Sequence, residues 1–138
     1  MQDNPYHREV AEFFQFFQEW FGGTSPDTNE HYARITNGIP DDSTYINPKG
    51  ELISTKSFFS GMRSKHGNIP GMRMWVDNIR LHWEEGDLAL VTFEEWAQAP
   101  DAVPEGRMST TIFRKKPETP NGIEWLHTHE TLLPKTET

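Results

Sequence analysis

The chain has 138 residues and a mass of 16.0 kDa, which suits one domain over residues 1–138 and leaves no room for two full cores. Its mean hydropathy of -0.76 makes it polar, yet 9 Phe, 5 Trp and 3 Tyr exclude a chain that is disordered throughout. With 13 basic against 21 acidic residues the net charge is -8, which speaks against a nucleic-acid partner, and the absence of cysteine excludes disulfides, a thiolate nucleophile and cysteine metal sites.

Tyr6 to Phe21 carries the first strong pattern. Val10, Phe13, Phe17 and Trp20 recur at helical spacing and make one apolar stripe. Asn4 suits the cap, Pro5 the first helical position, and Gly22-Gly23 the stop. Ser25-Pro26-Asp27 is turn chemistry, after which a short helix fits Asn29 to Arg34. Asn37 to Asp41 breaks it. Ser43 to Ile46 and Glu51 to Ser54 read as a small hairpin about Asn47-Pro48-Lys49-Gly50. Lys56 to His66 reads as a third helix, with Phe58, Phe59 and Met62 on one side and Gly67 at its end.

From Met72 onward the chain reads as strands: Met72 to Trp83, Leu88 to Ala99, Arg107 to Lys116 and Ile123 to Leu133. Gly86-Asp87 supplies a tight turn between the first two. Helices early and a meander late predict an α+β fold, with one face of a curved antiparallel sheet covered by helices. Long strands must twist and curl, and a helix lying in the concave face leaves a cavity at one end. No run of about 18 apolar residues is present, so no membrane span is expected. The opening Met1-Gln2-Asp3-Asn4-Pro5 has no basic segment leading into an apolar core, so a cytoplasmic location is expected.

The element order resembles the NTF2-like superfamily, near its SnoaL-like and DUF4440-type branches, over about Tyr6 to Pro134. Three local patterns carry the resemblance. They are the hairpin Tyr45-Ile46-Asn47-Pro48-Lys49-Gly50 leading into a helix, the turn Gly86-Asp87-Leu88-Ala89-Leu90-Val91, and the terminal His127-Thr128-His129-Glu130-Thr131. The last is similar to the ending of the calmodulin-dependent kinase association domain. The resemblance implies a cystatin-like cone with a core over about residues 6–134 and short flexible ends. It also implies a pocket between the long first helix and the concave sheet, and frequent dimers through the outer sheet face. It does not imply one chemistry, because relatives include isomerases, dehydratases, cyclases and non-catalytic assembly domains.

Ketosteroid isomerase-like relatives place a proton-abstracting carboxylate just before the hairpin proline. Here that position is Asn47, an amide with no basic function near neutrality. Phe13, Phe14, Phe16 and Phe17 fill the helix that carries a tyrosine donor in those enzymes, and the second acid falls near the neutral Thr111. Strand alternation sorts the sheet faces. By resemblance the concave sets contain Phe93 and Glu95, Thr111 and Phe113, and Thr128 and Glu130, with Leu126 beside the last pair; Trp125, His127 and His129 fall on the outer set.

A pocket built from Tyr45, Asn47, Phe58, Phe93, Glu95, Thr111, Phe113, Thr128 and Glu130 is therefore expected. Glu95 and Glu130 are the candidate catalytic pair, or a seat for a cationic group over aromatic rings. The competing reading has them at the rim or paired with Arg80, Arg107 or Arg114. His127 and His129 share a face and could join a metal site, but only His82 or an unplaced carboxylate offers a third ligand. The competing reading has these imidazoles packed and hydrogen-bonded on the outer face. No motif requires a cofactor. The expected function is a homodimeric pocket protein for a small, partly apolar ligand. An enzyme of the cyclase, dehydratase or isomerase kind and a purely oligomerising domain are the alternatives.

Overall fold

The computed structural model describes residues 4–134. Met1-Gln2-Asp3, which belongs to the segment read for a secretory signal, and the last four residues of the expected flexible ends lie outside them. Helix α1 spans Pro5–Gly22. The Asn4 side chain accepts a hydrogen bond from the His7 backbone N–H at 2.8 Å, and Pro5 starts the first turn. Gly23 ends the helix at φ 79°, a conformation that costs glycine little. Val10, Phe13, Phe17 and Trp20 are buried as the stripe predicts, and so are Tyr6, Glu9, Phe14 and Phe16.

Helix α2 (Asn29–Thr36), strands β1 (Thr44–Ile46) and β2 (Leu52–Ser54), and helix α3 (Thr55–Met62) follow. The α-helix predicted to reach His66 ends at Met62 and tightens into a 3₁₀ turn over Arg63–Lys65, a frequent way for a helix to finish. Trp20 ties α1 to this end: its indole donates to the Met62 carbonyl at 3.0 Å. Four long strands complete the chain: β3 (Arg73–Glu85), β4 (Leu88–Gln98), β5 (Glu105–Lys115) and β6 (Ile123–Leu132).

The strands form one curved, unclosed sheet in the order β2-β1-β6-β5-β4-β3, and the helices cover its concave face. The β3–β6 meander is antiparallel throughout. Strand β1 adds in parallel to β6, pairing Tyr45 with Thr128, so the sheet is mixed rather than purely antiparallel. That pairing brings the small hairpin beside the last strand, which no local pattern announces.

The core is aromatic. Phe13 meets Phe59 edge-on at 5.3 Å and lies 4.5 Å from Trp125 between ring centroids. Alternation places Ala89, Val91 and Phe93 of β4, and Ser109, Thr111 and Phe113 of β5, inside. On the outer face Trp96 stacks on Trp75 with planes 9° apart. Trp96 also lies across Gly106, where an added Cβ would sit 2.6 Å from the ring, so this close approach requires glycine.

β3 is irregular between Asp77 and Arg80 and between Leu81 and Trp83, and alternation along β6 fails at one place. The β5–β6 register steps from Ile112↔His127 to Phe113↔Trp125, and Leu126 is the extra residue of a bulge. Trp125 was expected on the outer face with His127 and His129. The bulge turns it inward, where it is 5% exposed, and Leu126 leaves the concave row.

Candidate functional site

Between α1, α3 and the concave sheet lies a cavity of about 220 Å³. Helix α1 supplies Phe13, Phe14, Phe17 and Phe21 to its wall, and α3 supplies Phe58, Phe59, Met62 and Thr55. Strands add Met74, Phe93 and Trp125, and Ile39 closes a corner. The apolar residues of each element face the cavity because helical spacing and strand alternation point them there. The polar part of the lining consists of Thr55, Tyr45, Glu95, Arg107, Thr128 and Glu130, the last five from β1, β4, β5 and β6.

Glu130 is the hub of that polar cluster. Its Oε1 accepts from the Tyr45 hydroxyl at 2.6 Å and from Arg107 Nη1 at 2.8 Å. Arg107 Nη1 also donates to the Tyr45 oxygen at 3.3 Å. Glu95 shares a hydrogen bond with Glu130, and its Oε1 accepts a longer bond from the Ser109 hydroxyl at 3.3 Å. The two carboxyls are thus in contact, far inside the roughly 10 Å limit within which two carboxylates can share chemistry.

The environment drives the two acids apart. Burial raises the Glu95 carboxyl well above its ordinary range, and the hydrogen bond and negative charge of Glu130 push in the same direction. Burial also pushes Glu130 upward, but hydrogen bonds from Glu95, Tyr45 and Arg107 outweigh it, so its pKa falls. Glu95 therefore holds the shared proton and donates it to the Glu130 carboxylate. The Tyr45 hydroxyl is raised, first by burial and then by Glu130. Burial opposes the charge on Arg107, and the bond to Glu130 more than restores it. The cluster can donate or accept one proton beside an apolar volume, with an arginine to balance one negative charge.

The structure brings Tyr45, Phe58, Phe93, Glu95, Thr128 and Glu130 together around the cavity. Asn47, Thr111 and Phe113 were expected there and do not line it. Asn47 Oδ1 accepts from the Lys49 and Glu51 backbone N–H groups, so this side chain holds the hairpin turn. Thr111 is fully buried, with its hydroxyl 2.9 Å from that of Thr128. Phe113 packs behind the wall, with its centroid 4.6 Å from that of Trp125. From sequence Arg107 is only a possible carboxylate partner. It lies two positions before Ser109, so alternation already set it on the concave row. Trp125 is hidden from sequence by the bulge.

His127 hydrogen-bonds Thr44 through Nδ1 at 2.6 Å, and His82 lies 2.6 Å from the Thr92 hydroxyl. Among the described residues no group of three or more histidines, aspartates or glutamates is placed to hold a metal ion. No helix of the described residues is long and apolar enough to cross a membrane.

Residues 6–134 match a family model described as sucrose-6-phosphate phosphohydrolase C-terminal. Sucrose-phosphatase 1 and sucrose-phosphatase 2 of Nicotiana tabacum are 24% and 26% identical, each over 91% of this chain and 30% of its own length. The chain thus spans about a third of those curated relatives. Among solved structures, an NTF2-like protein of unknown function from Pseudomonas aeruginosa superposes with a TM-score of 0.81 at 22% identity, covering 94% of this chain and 99% of that one. A putative calcium/calmodulin-dependent kinase association domain from Thiobacillus denitrificans gives 0.64 at 17% identity, covering 95% and 96%. A putative ketosteroid isomerase from Parabacteroides distasonis gives 0.60 at 15% identity, covering 95% and 89%. The fold is therefore NTF2-like, as the order of elements and the His127-to-Thr131 pattern predicted.

Proposed function

The chain belongs to the sucrose-6-phosphate phosphohydrolase C-terminal family, and from that premise we propose that it is a binding protein for a small, partly apolar ligand, acting as a homodimer through its outer sheet face. One observation carries this reading. An aromatic-walled cavity of about 220 Å³ has convergent polar groups drawn from β1, β4, β5 and β6, the usual make-up of a ligand site. Cavities of about 150 Å³ already admit benzene. The kinase association-domain neighbour supports self-assembly, and the Trp75–Trp96 stack supplies large aromatic surface on the outer face.

The cavity chemistry speaks against sucrose or its phosphate as the occupant. A disaccharide carries hydroxyls on all sides, and Phe and Trp walls leave most of them unpaired. A phosphate dianion would meet Glu95 and Glu130, and the nearest guanidinium, Arg107, is already engaged. Calorimetry with benzyl alcohol, sucrose and sucrose 6-phosphate tests this. Benzyl alcohol is expected to bind and the two sugars are not. The reverse pattern overturns the proposal.

A second reading, proton transfer on a bound substrate, is favoured by the opposed shifts of Glu95 and Glu130, a pattern that separates acid from base. On that reading Glu95→Gln abolishes turnover while ligand binding survives.

A further inference from the structure

We propose that the cavity takes a small apolar amine and seats its ammonium against Glu95 and Glu130. This deepens the proposal of a ligand pocket and rests on it.

The hydrogen-bond inventory of the polar cluster sets the ligand's chemistry. Around the two carboxyls the donors are already committed to one acceptor: the Tyr45 hydroxyl, Arg107 Nη1 and the Glu95 proton all go to Glu130, while the buried Thr55 hydroxyl, on the α3 side of the lining, has no partner. The second Arg107 amino group leans away toward Glu105, 3.7 Å distant. What remains for a guest at the carboxyls is acceptor capacity, since each group has lone pairs beyond the bonds just named. A guest that donates is matched; a guest that only accepts, such as a carboxylate or ketone, must first break an existing bond.

The charge inventory agrees. Two ionised carboxylates against one guanidinium leave one negative charge in excess inside an apolar chamber. Without a guest, the Glu95 proton removes that excess. An ammonium removes it equally well. When a free amine enters, the Glu95 O–H proton passes to the nitrogen lone pair, leaving a carboxylate beside an ammonium. The total charge of the site does not change. Aromatic side chains, Phe58, Phe93 and Trp125 among them, wall the same space and favour a cation over their ring faces. The net charge of -8 also draws cations toward the molecule.

The groups that face Glu95 make proton uptake and release readable. They are Glu130 from β6, Arg107 and Ser109 from β5, and Tyr45 from β1. The cavity-lining side chains of α1, α3 and β3 are Phe, Met or Thr and do not titrate. Near pH 6 a simple amine is already an ammonium, so its binding expels the Glu95 proton to the buffer.

The experiment titrates the chain with benzylamine, benzyl alcohol and benzoate by calorimetry, in two buffers of different ionisation enthalpy, from about pH 6 to 8. Benzylamine is expected to bind at least about tenfold tighter than benzyl alcohol, with benzoate weakest. About one proton leaves per benzylamine bound near pH 6, and affinity climbs with pH. Glu95→Gln loses both the preference for benzylamine over benzyl alcohol and the proton release. Equal affinity for amine and alcohol, or tightest binding of benzoate, overturns the amine assignment and leaves the pocket reading standing. Failure of all three probes to bind overturns both.

Discussion

Glu9 of the first helix and Trp125 of the last strand meet across the core, the indole Nε1 donating to Glu9 Oε2 at 2.8 Å. Glu9 has no exposed surface, and its carboxylate is further satisfied by Arg34 at 3.0 Å and Asn121 at 2.9 Å. The four partners come from α1, α2, the β5–β6 turn and β6. Trp125 reaches this carboxylate only because the bulge at Leu126 turns it inward. The same indole is a wall of the cavity, so a buried polar group helps set the shape of an apolar chamber.

Glu9→Ala is expected to lower the unfolding free energy by about 3 kcal/mol, because it leaves a buried indole and a half-buried guanidinium and amide without their acceptor. Urea unfolding followed by far-UV circular dichroism measures the change. Glu9→Gln, which keeps an acceptor oxygen, should cost less; equal costs would show that the carboxylate charge carries the contact.

Tyr45→Phe removes the 2.6 Å bond to Glu130 and leaves Arg107 and Glu95 as its partners. The expected cost is about 1 kcal/mol in stability. The Glu130 carboxyl should titrate at a higher pH than in the parent chain, which NMR of labelled glutamate side chains can follow.

The pH dependence of stability has a definite sign. Folded Glu95 keeps its proton above pH 4.5, the ordinary glutamate value, up to its raised value, whereas the unfolded chain has lost it. The folded state binds more protons in that window, so stability falls as pH rises through it and is whole below it. Glu130 runs the other way: its stabilisation is present above 4.5 and is lost as pH falls through its lowered value. Glu95→Gln should flatten the decline on the neutral side and leave the acid limb in place, as read from urea midpoints between about pH 2 and 8.

The proposed homodimer places the outer face of β4 and β5 at the interface. Ile112 alternates with the buried Thr111 and Phe113 and so points outward. Ile112→Arg should convert a dimer to a monomer in sedimentation velocity, with circular dichroism and benzyl alcohol binding unchanged. A parent chain that sediments as a monomer at micromolar concentration removes the dimer from the proposed function.

Much of the architecture is written locally. The spacing of Val10, Phe13, Phe17 and Trp20 selects the helix face that packs inward, and the alternation along Leu88 to Gln98 sets Phe93 and Glu95 on the row that faces it. These follow from residues a few positions apart, because helix and strand periods are properties of short stretches. The element order, with helices before a meander, was enough to indicate the fold. Three other features depend on residues distant along the chain. The parallel seat of β1 beside β6 brings Tyr45 to Glu130, 85 residues away. The Leu126 bulge sends Trp125 inside and Asn121 and Arg34 join it at Glu9. The contact between Glu95 and Glu130 assigns one proton to the pair. Strand register and the pKa of a carboxyl are decided by whatever packs alongside, and no stretch of neighbouring residues contains that information.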